Sequence, residues 1–345
     1  MSVRAPGEKY DWLLTIQRRI ANFVVIMSIL GVHHITSLAS DPQRNLEFYT
    51  GFLGLRLVKQ TVNFDAPDVY HLYYGDDAGR PGTIMTFFPF PDAVKGKRGA
   101  GEISAVSFLV PAGSVDFWTG RLSARSISFN GPERRFGQQL ISFEDPDGMR
   151  VELLEDPSAP ARAGWTGGPV EGRFAIRAFH GVTILHHAAL PTAAFLTQGL
   201  GFSPVATEGG RQRFAGGGAE GRGFVDIVED PAAPAARQSA GSVHHIAWRV
   251  KDDDEQLRWR QELQKKGASP TPVMDRQYFR SIYFREPGGV LFEIATDPPG
   301  FATDETVETL GSRLKLPPWL EKQRPLIERH LPPLTLPSTV RGGGA

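Results

Sequence analysis

The chain has 345 residues, 41% of them hydrophobic and 22% charged, and its 38 Lys and Arg residues balance its 38 Asp and Glu residues. This length accommodates two domains of ordinary size, the composition is that of a globular protein, and the neutral total gives no reason to expect a nucleic-acid or membrane partner. The absence of cysteine excludes disulfides, thiolate metal sites and a cysteine nucleophile, so any metal must be held by His, Asp or Glu, and it fits a cytoplasmic protein.

The first predicted element is an amphipathic helix within residues 10–23, YDWLLTIQRRIANF. The apolar run at residues 20–32 is too short to span a bilayer. It also lacks the small-residue cleavage site of a signal peptide. We therefore expect residues 1–27 to form an extension outside the fold, with Met27 as an alternative translation start.

One strand pattern recurs four times along the chain, at residues 31–40, 101–110, 177–186 and 241–250. Each copy shows the apolar–polar alternation of a half-buried strand. A helical segment follows each copy, and Gly54, Gly201 and Gly267 stand where helix C-caps are expected. Strand–turn–strand patterns complete the copies, most clearly at residues 141–157 and 282–298. The sequence therefore predicts four βαβββ modules, which we number 1 to 4 in chain order.

A single module would leave an open sheet edge and one apolar face, so it must pair with a second module. We therefore predict an α+β fold in which four modules form two open, barrel-like paired sheets. The predicted domains are residues 28–157 with modules 1 and 2, and residues 174–300 with modules 3 and 4. A linker rich in Pro, Ala and Gly, residues 158–173, separates them. Residues 301–345 are predicted to hold one helix near residues 318–330 and a flexible tail.

The first and last copies each contain adjacent histidines, in GVHHITSLAS and GSVHHIAWRV. Alignment of the first strands places four residues at the position of the second histidine: His34, Ala105, Gly181 and His245. Alignment of the last strands of the modules gives a second set of equivalent residues: Thr86, Glu152, Asp226 and Glu293. If modules 1 and 4 pack together, His34, His245 and Glu293 converge. Two histidines and one carboxylate with three open positions form the facial triad of non-haem Fe(II) oxygenases.

The alternation of side chains along a strand limits this site. His33 and His34 are expected to point to opposite faces, so only one histidine of each pair reaches a shared metal. The alternative is structural: the paired histidines are core or edge residues, and Glu293 is a solvated strand residue. Two histidines at equivalent repeat positions, with an acid between apolar neighbours, favour the metal site.

Longer stretches carry a resemblance to a known family. They are HHIT, FYTGFLGLRLVKQTVNFD, YHLYYGDDAGRPGTIMTFFPF, RFGQ, HHIA, DRQYFRSIYFREPGGVLFE and GFATDE. With the βαβββ repeat, they resemble the vicinal-oxygen-chelate superfamily, and most closely its ring-cleaving hydroquinone dioxygenases, over roughly residues 28–330. The resemblance implies that His34, His245 and Glu293 bind Fe(II), with Mn(II) as an alternative, at a site shared by modules 1 and 4.

The resemblance also implies that five further residues surround the metal: His33, Thr36, His244, Arg276 and Tyr283. An arginine here would hold an anionic oxygen, and a tyrosine hydroxyl would donate to it or relay a proton. The structural alternative is that Arg276 braces a loop, since Arg135 takes its position in module 2. His33 and His244 are weaker candidates, because His180 keeps their position in module 3, which has no ligand.

By resemblance, the expected function is an extradiol-type dioxygenase that opens an aromatic diol with O2. Hydroquinones are favoured and catechols remain an alternative. One rival is a glyoxalase-like isomerase or thiol transferase, which would need a fourth ligand where Thr86 stands. Another is a metal-free protein that sequesters an aromatic ligand, as resistance proteins do. A homo-oligomer is compatible with the sequence, which shows no decisive interface.

Overall fold

The computed structural model describes residues 27–157, 164–217 and 223–337. Three predictions therefore fall wholly or partly outside the described residues: the N-terminal extension with its helix, the linker at residues 158–163, and the flexible tail from residue 338 onward. None of the helices in the described ranges combines the length and apolarity needed to cross a bilayer.

The four modules follow the predicted order of one strand, one helical segment and three strands. Module 1 contains β1 (Val32–Ala39), α1 (Pro42–Leu46) with a π-helical turn (Glu47–Phe52), β2 (Arg56–Asn63), β3 (Ala66–Gly75) and β4 (Ile84–Pro89). Module 2 contains β5 (Glu102–Val110), α2 (Val115–Ala124), β6 (Phe129–Arg135), β7 (Gln138–Glu144) and β8 (Arg150–Glu155).

Modules 3 and 4 repeat the pattern. Module 3 contains β9 (Ala178–His186), α3 (Leu190–Ala194) with a π-helical turn (Phe195–Gly199), β10 (Ser203–Glu208), β11 (Arg211–Gly216) and β12 (Gly223–Glu229). Module 4 contains β13 (Val243–Val250), α4 (Asp253–Lys265), β14 (Met274–Asp275), β15 (Arg280–Arg285) and β16 (Leu291–Thr296).

Local sequence signals set where these helices begin and end. The Asp41 side chain caps α1 by accepting from the Arg44 amide at 2.9 Å. Asp252 caps α4 in the same way through the Glu255 amide. Gly54, Gly201 and Gly267 have positive φ angles, as predicted for residues that end helices in the left-handed region.

The sixteen strands form two eight-stranded sheets, each built from two modules. The first sheet, from modules 4 and 1, has the order β14-β15-β16-β13-β1-β4-β3-β2. The second, from modules 3 and 2, has the order β10-β11-β12-β9-β5-β8-β7-β6. The predicted pairing of modules 1 and 4 in an α+β fold of open, curled sheets is therefore confirmed. Each sheet takes one module from either side of the linker, and the predicted domain division there stays a prediction.

An antiparallel strand pair forms the centre of each sheet. In β1 and β13 the register shifts on either side of the pairing segment, which leaves His33 and His244 as the extra residues of two β-bulges. The pair β5 and β9 shifts at the equivalent places, Ser104 and His180. All four modules therefore share one bulge position, directly before the residue aligned with His34.

Two apolar clusters hold the fold together. The larger one draws on both sheets and the helices around them. The smaller one belongs to the first sheet and includes Tyr73, Phe279, Phe301 and Leu310. Residues 301–310 therefore pack as part of the core beside the candidate site. The buried Lys59 ammonium fixes this segment by ion pairs with the carboxylates of Asp304 and Glu305.

The C-terminal helix is shorter than predicted. It is α5 (Arg324–His330), preceded by one 3-10 turn (Glu321–Gln323), instead of a helix that begins near residue 318. Pro325 occupies its first turn, where the missing amide proton has no cost.

We expect Gly181→Ala to destabilise the protein. A Cβ at this position in β9 would overlap the carbonyl oxygen of Phe224 in the paired strand β12. Overpacking of this kind costs roughly 2–3 kcal/mol of unfolding free energy, measured as a lowered midpoint in urea. As a control, Gly120→Ala adds a methyl group to the exposed face of α2, where nothing lies within 4 Å, and should be neutral or slightly stabilising. A Gly181→Ala protein that unfolds at the wild-type midpoint would contradict the packing described.

Candidate metal centre

Three side chains meet where modules 1 and 4 join. His34 Nε2 lies 3.2 Å from His245 Nε2 and 3.4 Å from Glu293 Oε2, and His245 Nε2 lies 2.9 Å from the same oxygen. All three side chains are buried, and Glu293 is 0% exposed. In the described part of the chain, this is the one group of His and acidic residues close enough to hold a metal ion.

Strand register explains why these residues converge. His34 on β1 pairs with Ala247 on β13, and Ala247 pairs with Glu293 on β16. The single methyl group of Ala247 leaves space for the Glu293 carboxylate to reach across β13 toward His34. The two histidines, 211 residues apart in the chain, are held side by side by the same strand pair.

The donor set fits a metal ion. Ligands at right angles, with bonds of about 2.1 Å to one ion, are roughly 3 Å apart, close to the three distances here. Glu293 Oε1 accepts a hydrogen bond from the Ser281 hydroxyl, whereas the buried Oε2 makes no hydrogen bond of ordinary geometry with the described residues. Oε2 faces the Nε2 atoms of His34 and His245, and a cation held among the three atoms would neutralise this buried charge.

The protonation states also suit metal binding. Burial alone would raise the pKa of Glu293, but His34 and His245 hold it well below its ordinary value, so the carboxylate is ionised. Burial lowers the pKa of His245. The site therefore offers one anionic oxygen, and His245 as a neutral imidazole, the form in which metals bind histidine.

The expectation that His33 and His34 point to opposite faces is wrong at the bulge. His33 Nδ1 lies 2.9 Å from His34 Nδ1, and His244 Nδ1 lies 2.8 Å from His245 Nδ1. A bulge leaves two neighbouring residues opposite one partner residue, which breaks the alternation. Each first histidine thereby holds the second one by Nδ1, with Nε2 turned toward the triad.

Thr86 stands where the repeat would place a second acid. It pairs with Thr36 on β1, as Glu293 pairs with Ala247 on β13. Its hydroxyl donates to Thr36 Oγ1 at 3.1 Å. Both threonines are fully buried. At equivalent positions, module 1 therefore contributes a hydroxyl and module 4 contributes a carboxylate.

Two residues of the site were missed in the sequence. His71 Nε2 lies 2.7 Å from Thr86 Oγ1, and the Tyr73 hydroxyl lies 2.8 Å from His71 Nδ1. Burial, with His34 and His245 nearby, lowers the pKa of His71 well below its ordinary value. Tyr73 could have been identified from the sequence, because it pairs with Thr86 as Tyr283 pairs with Glu293. An alignment of the third strands of modules 1 and 4 would have placed Tyr73 at the position of Tyr283.

Arg276 and Tyr283 stand together on the module 4 side. Arg276 Nε donates to the Tyr283 hydroxyl at 3.2 Å, and its Nη1 lies 3.2 Å from Asp65 Oδ2. Burial and the neighbouring Glu293 raise the pKa of Tyr283, so the phenol keeps its proton at neutral pH. The Tyr283 ring meets the His245 ring edge-on.

A cavity of about 560 Å³ opens in front of the triad. His34, Thr36, His71, His244, His245, Arg276 and Tyr283 line it together with aromatic side chains that include Phe64, Phe88, Phe90 and Phe279. Its size and apolar walls with a few polar groups are those of a small-molecule site. The structure thus brings together at one cavity all the predicted site residues except His33 and Glu293, which lie behind this surface.

The equivalent positions in the second sheet hold ion pairs. Arg135 Nη1 lies 2.9 Å from Glu152 Oε1, and Arg213 Nε lies 2.7 Å from Asp226 Oδ1. Arginines neutralise these two acids where Ala105 and Gly181 provide no imidazole. The predicted equivalence of Arg135 and Arg276 therefore does not extend to their contacts, because Arg276 bonds Tyr283 instead of the acid.

Known proteins show the same arrangement of sequence and fold. The family model described as "Glyoxalase/Bleomycin resistance protein/Dioxygenase superfamily" matches residues 31–153 and 190–294. The chain is 46% identical over 304 residues to MhqO of Bacillus subtilis, which is provisionally named a ring-cleaving dioxygenase. The alignment covers 88% of this chain and 96% of that protein. It is 38% identical over 299 residues to a chlorohydroquinone/hydroquinone 1,2-dioxygenase of Sphingobium indicum, covering 84% and 92% of the two chains.

A solved structure agrees with these relatives. The crystal structure of a provisionally named dioxygenase from Bacillus subtilis superposes with a TM-score of 0.86 at 45% identity, and covers 90% of this chain and 99% of that one. The matches span both halves of the chain and both sheets. The chain therefore belongs to the glyoxalase/bleomycin resistance protein/dioxygenase superfamily.

Proposed function

We propose that the protein is a ring-cleaving dioxygenase of the extradiol type that opens a hydroquinone with O2. The observation that carries this proposal is the His34, His245 and Glu293 triad, which faces an aromatic-walled cavity and would leave three positions open on a bound ion. The name of the Sphingobium relative, a chlorohydroquinone/hydroquinone 1,2-dioxygenase, supports a para-diol substrate. Catechols remain a second substrate class.

The three triad residues would hold Fe(II), and the same donors suit Mn(II). When bound, the ion would supply the Lewis acidity that lowers the pKa of a diol hydroxyl and the redox chemistry that activates O2. His33 and His244 keep Nε2 of the two ligand histidines turned toward the ion, by their Nδ1 contacts. Ser281 fixes the carboxylate through Oε1 and leaves Oε2 for the ion.

The rest of the cavity binds and orients the diol. Phe88, Phe90 and Phe279 offer apolar surface to the ring and exclude water from the site. The protonated Tyr283 hydroxyl donates a hydrogen bond to a substrate oxygen, gives up its proton when the ring opens, and regains one from a hydroxyl of the next diol that binds. Arg276 supplies positive charge next to this hydroxyl, which favours a deprotonated diol.

The two rival functions fit the site less well. A glyoxalase-like enzyme needs a fourth protein ligand, but Thr86 at that position is hydrogen-bonded to Thr36 and His71. A metal-free binding protein would gain nothing from a buried, ionised Glu293 that faces two imidazole nitrogens, His34 Nε2 and His245 Nε2.

Anaerobic loading of the protein with Fe(II), followed by O2 uptake, tests the proposal. We expect hydroquinone to consume one O2 per ring opened and to give a ring-opened product with both oxygen atoms. Catechol should react more slowly if this chain shares the substrate class named for its Sphingobium relative, a hydroquinone 1,2-dioxygenase. Iron-loaded protein that takes up no O2 with hydroquinone, catechol or their substituted forms would refute the dioxygenase function.

Glu293→Gln should weaken Fe(II) binding by about 100-fold or more, because a neutral amide replaces the anionic ligand, and even the loss of a ligand's hydrogen-bond partner costs about 10–100-fold. Turnover should be lost with the iron. The matched control is Glu152→Gln, which alters the equivalent carboxylate in the second sheet, where Arg135 replaces the metal. Iron content after gel filtration and O2 uptake check both variants. A fully active, iron-replete Glu293→Gln protein would contradict the ligand assignment.

A further inference from the structure

Four side chains form a continuous hydrogen-bonded chain along the module 1 side of the cavity. The order is Tyr73 hydroxyl, His71 imidazole, Thr86 hydroxyl and Thr36 hydroxyl, at 2.8, 2.7 and 3.1 Å. Tyr73, Thr86 and Thr36 are buried, and His71 is half-buried at the cavity surface. The chain runs from β3 through β4 to β1, where Thr36 follows the proposed ligand His34 by two residues.

The donor and acceptor capacities give this chain one direction. With the Thr86 hydroxyl as the donor to Thr36 Oγ1, Thr86 Oγ1 can accept only from His71 Nε2. A neutral His71 with its proton on Nε2 has a bare Nδ1, which accepts from the Tyr73 hydroxyl. Every proton in the chain is then engaged except that of the Thr36 hydroxyl, for which the described residues provide no acceptor.

The repeat symmetry of the strands indicates the position of the Thr36 hydroxyl in the site. The repeat relates Thr86 to Glu293 and Thr36 to Ala247 across the central strand pair. Thr36 also pairs with His245 and lines the cavity. Its hydroxyl is hydrogen-bonded to Thr86, the residue at the position where a fourth protein ligand would otherwise lie.

We propose that His71 is a positioning residue that keeps the Thr36 hydroxyl a hydrogen-bond donor toward an oxygen atom bound on the open side of the triad. This rests on the proposed function, since O2 or a diol oxygen would be that acceptor. Tyr73 selects the His71 tautomer. Without Tyr73, His71 could carry its proton on Nδ1 and accept a hydrogen bond from Thr86 at Nε2. The direction of the chain would then reverse. Thr36 would donate to Thr86, and the bound oxygen would have no donor.

The tautomer is tested without turnover, by nitrogen-15 NMR of the full chain loaded with Zn(II) in place of paramagnetic iron. We expect His71 to carry its proton on Nε2, and Tyr73→Phe to shift the population toward the Nδ1 tautomer. Tyr74→Phe is the matched control, because its hydroxyl donates to Asn45 instead, and it should leave the His71 spectrum unchanged. An Nδ1 proton on His71 in the wild type would overturn the proposal, whatever the enzyme turns over.

The role of Thr36 is tested by a double-mutant cycle in the iron-loaded enzyme. Thr36→Val and Thr86→Val should each lower kcat for hydroquinone about tenfold or more, the effect of losing one hydrogen bond to a charged oxygen. KM for hydroquinone should change less than about threefold. The double variant should be no slower than Thr36→Val, because Thr86 acts through Thr36.

His71→Leu should match Thr86→Val, whereas His71→Gln, whose amide N–H can replace Nε2–H, should recover most of the rate. Additive losses in the double variant, or no loss in Thr86→Val, would mean that the residues do not act through Thr36.

Nitric oxide serves as the probe if no diol is turned over. Its affinity for the anaerobic Fe(II) protein should fall about threefold, the effect of one neutral hydrogen bond, and equally in Thr36→Val and Thr86→Val. That result with no turnover would reject the dioxygenase function and retain the Thr36 donor. Unchanged nitric oxide affinity in both variants, with normal turnover, would reject the donor and retain the function.

Discussion

The antiparallel pairing of β1 with β13 is the constraint on which the candidate site depends. This pair joins the first module to the last and places two imidazole nitrogens 3.2 Å apart, although their residues are 211 positions apart in the chain. Neither module contains the triad alone, since module 1 lacks the acid. The site therefore forms only when the chain has closed the first sheet, and long-range strand pairing of this kind has a high entropic cost before it is rewarded.

Each module keeps the same backbone pattern but uses it differently. The bulge before the aligned position occurs in all four modules, and in modules 1 and 4 it places Nδ1 of the first histidine against Nδ1 of the second, the proposed ligand. In the second sheet the corresponding acids bind Arg135 and Arg213, which stabilises the buried carboxylates without a metal. In the first sheet the repeat is asymmetric, because one half supplies Glu293 and the other supplies the Tyr73 to Thr36 chain. Both halves line the cavity, module 1 with Thr36 and His71 and module 4 with Arg276 and Tyr283.

Most of the fold could be predicted from the fourfold sequence repeat. The alignment of Thr86, Glu152, Asp226 and Glu293 predicted from the sequence agrees with the strand register in each module. The convergence of His34, His245 and Glu293 followed from the equivalence of two strands. Strict alternation failed at His33 and His244, because a bulge depends on the partner strand and leaves no mark in the local pattern.

Other features could not be read along the chain because they depend on contacts between distant segments. His71 and Tyr73 act across three strands, so their role appears only when the register of β3 with β4 is known. Residues 301–310 are held by the buried Lys59 of β2 and by the Phe301 contact with Tyr73. The sequence of this segment is mostly polar and has no clear periodicity, so it did not predict this packing.

The central claim is that His34, His245 and Glu293 hold one iron between modules 1 and 4. Anomalous diffraction at the iron edge, from crystals of the Fe(II)-loaded protein kept without oxygen, tests it most directly. The account predicts a peak within about 2.0–2.3 Å of His34 Nε2, His245 Nε2 and Glu293 Oε2, with His33 and His244 still at Nδ1 of the two ligands. Iron bound elsewhere, or no iron at the triad in a fully loaded protein, would contradict it.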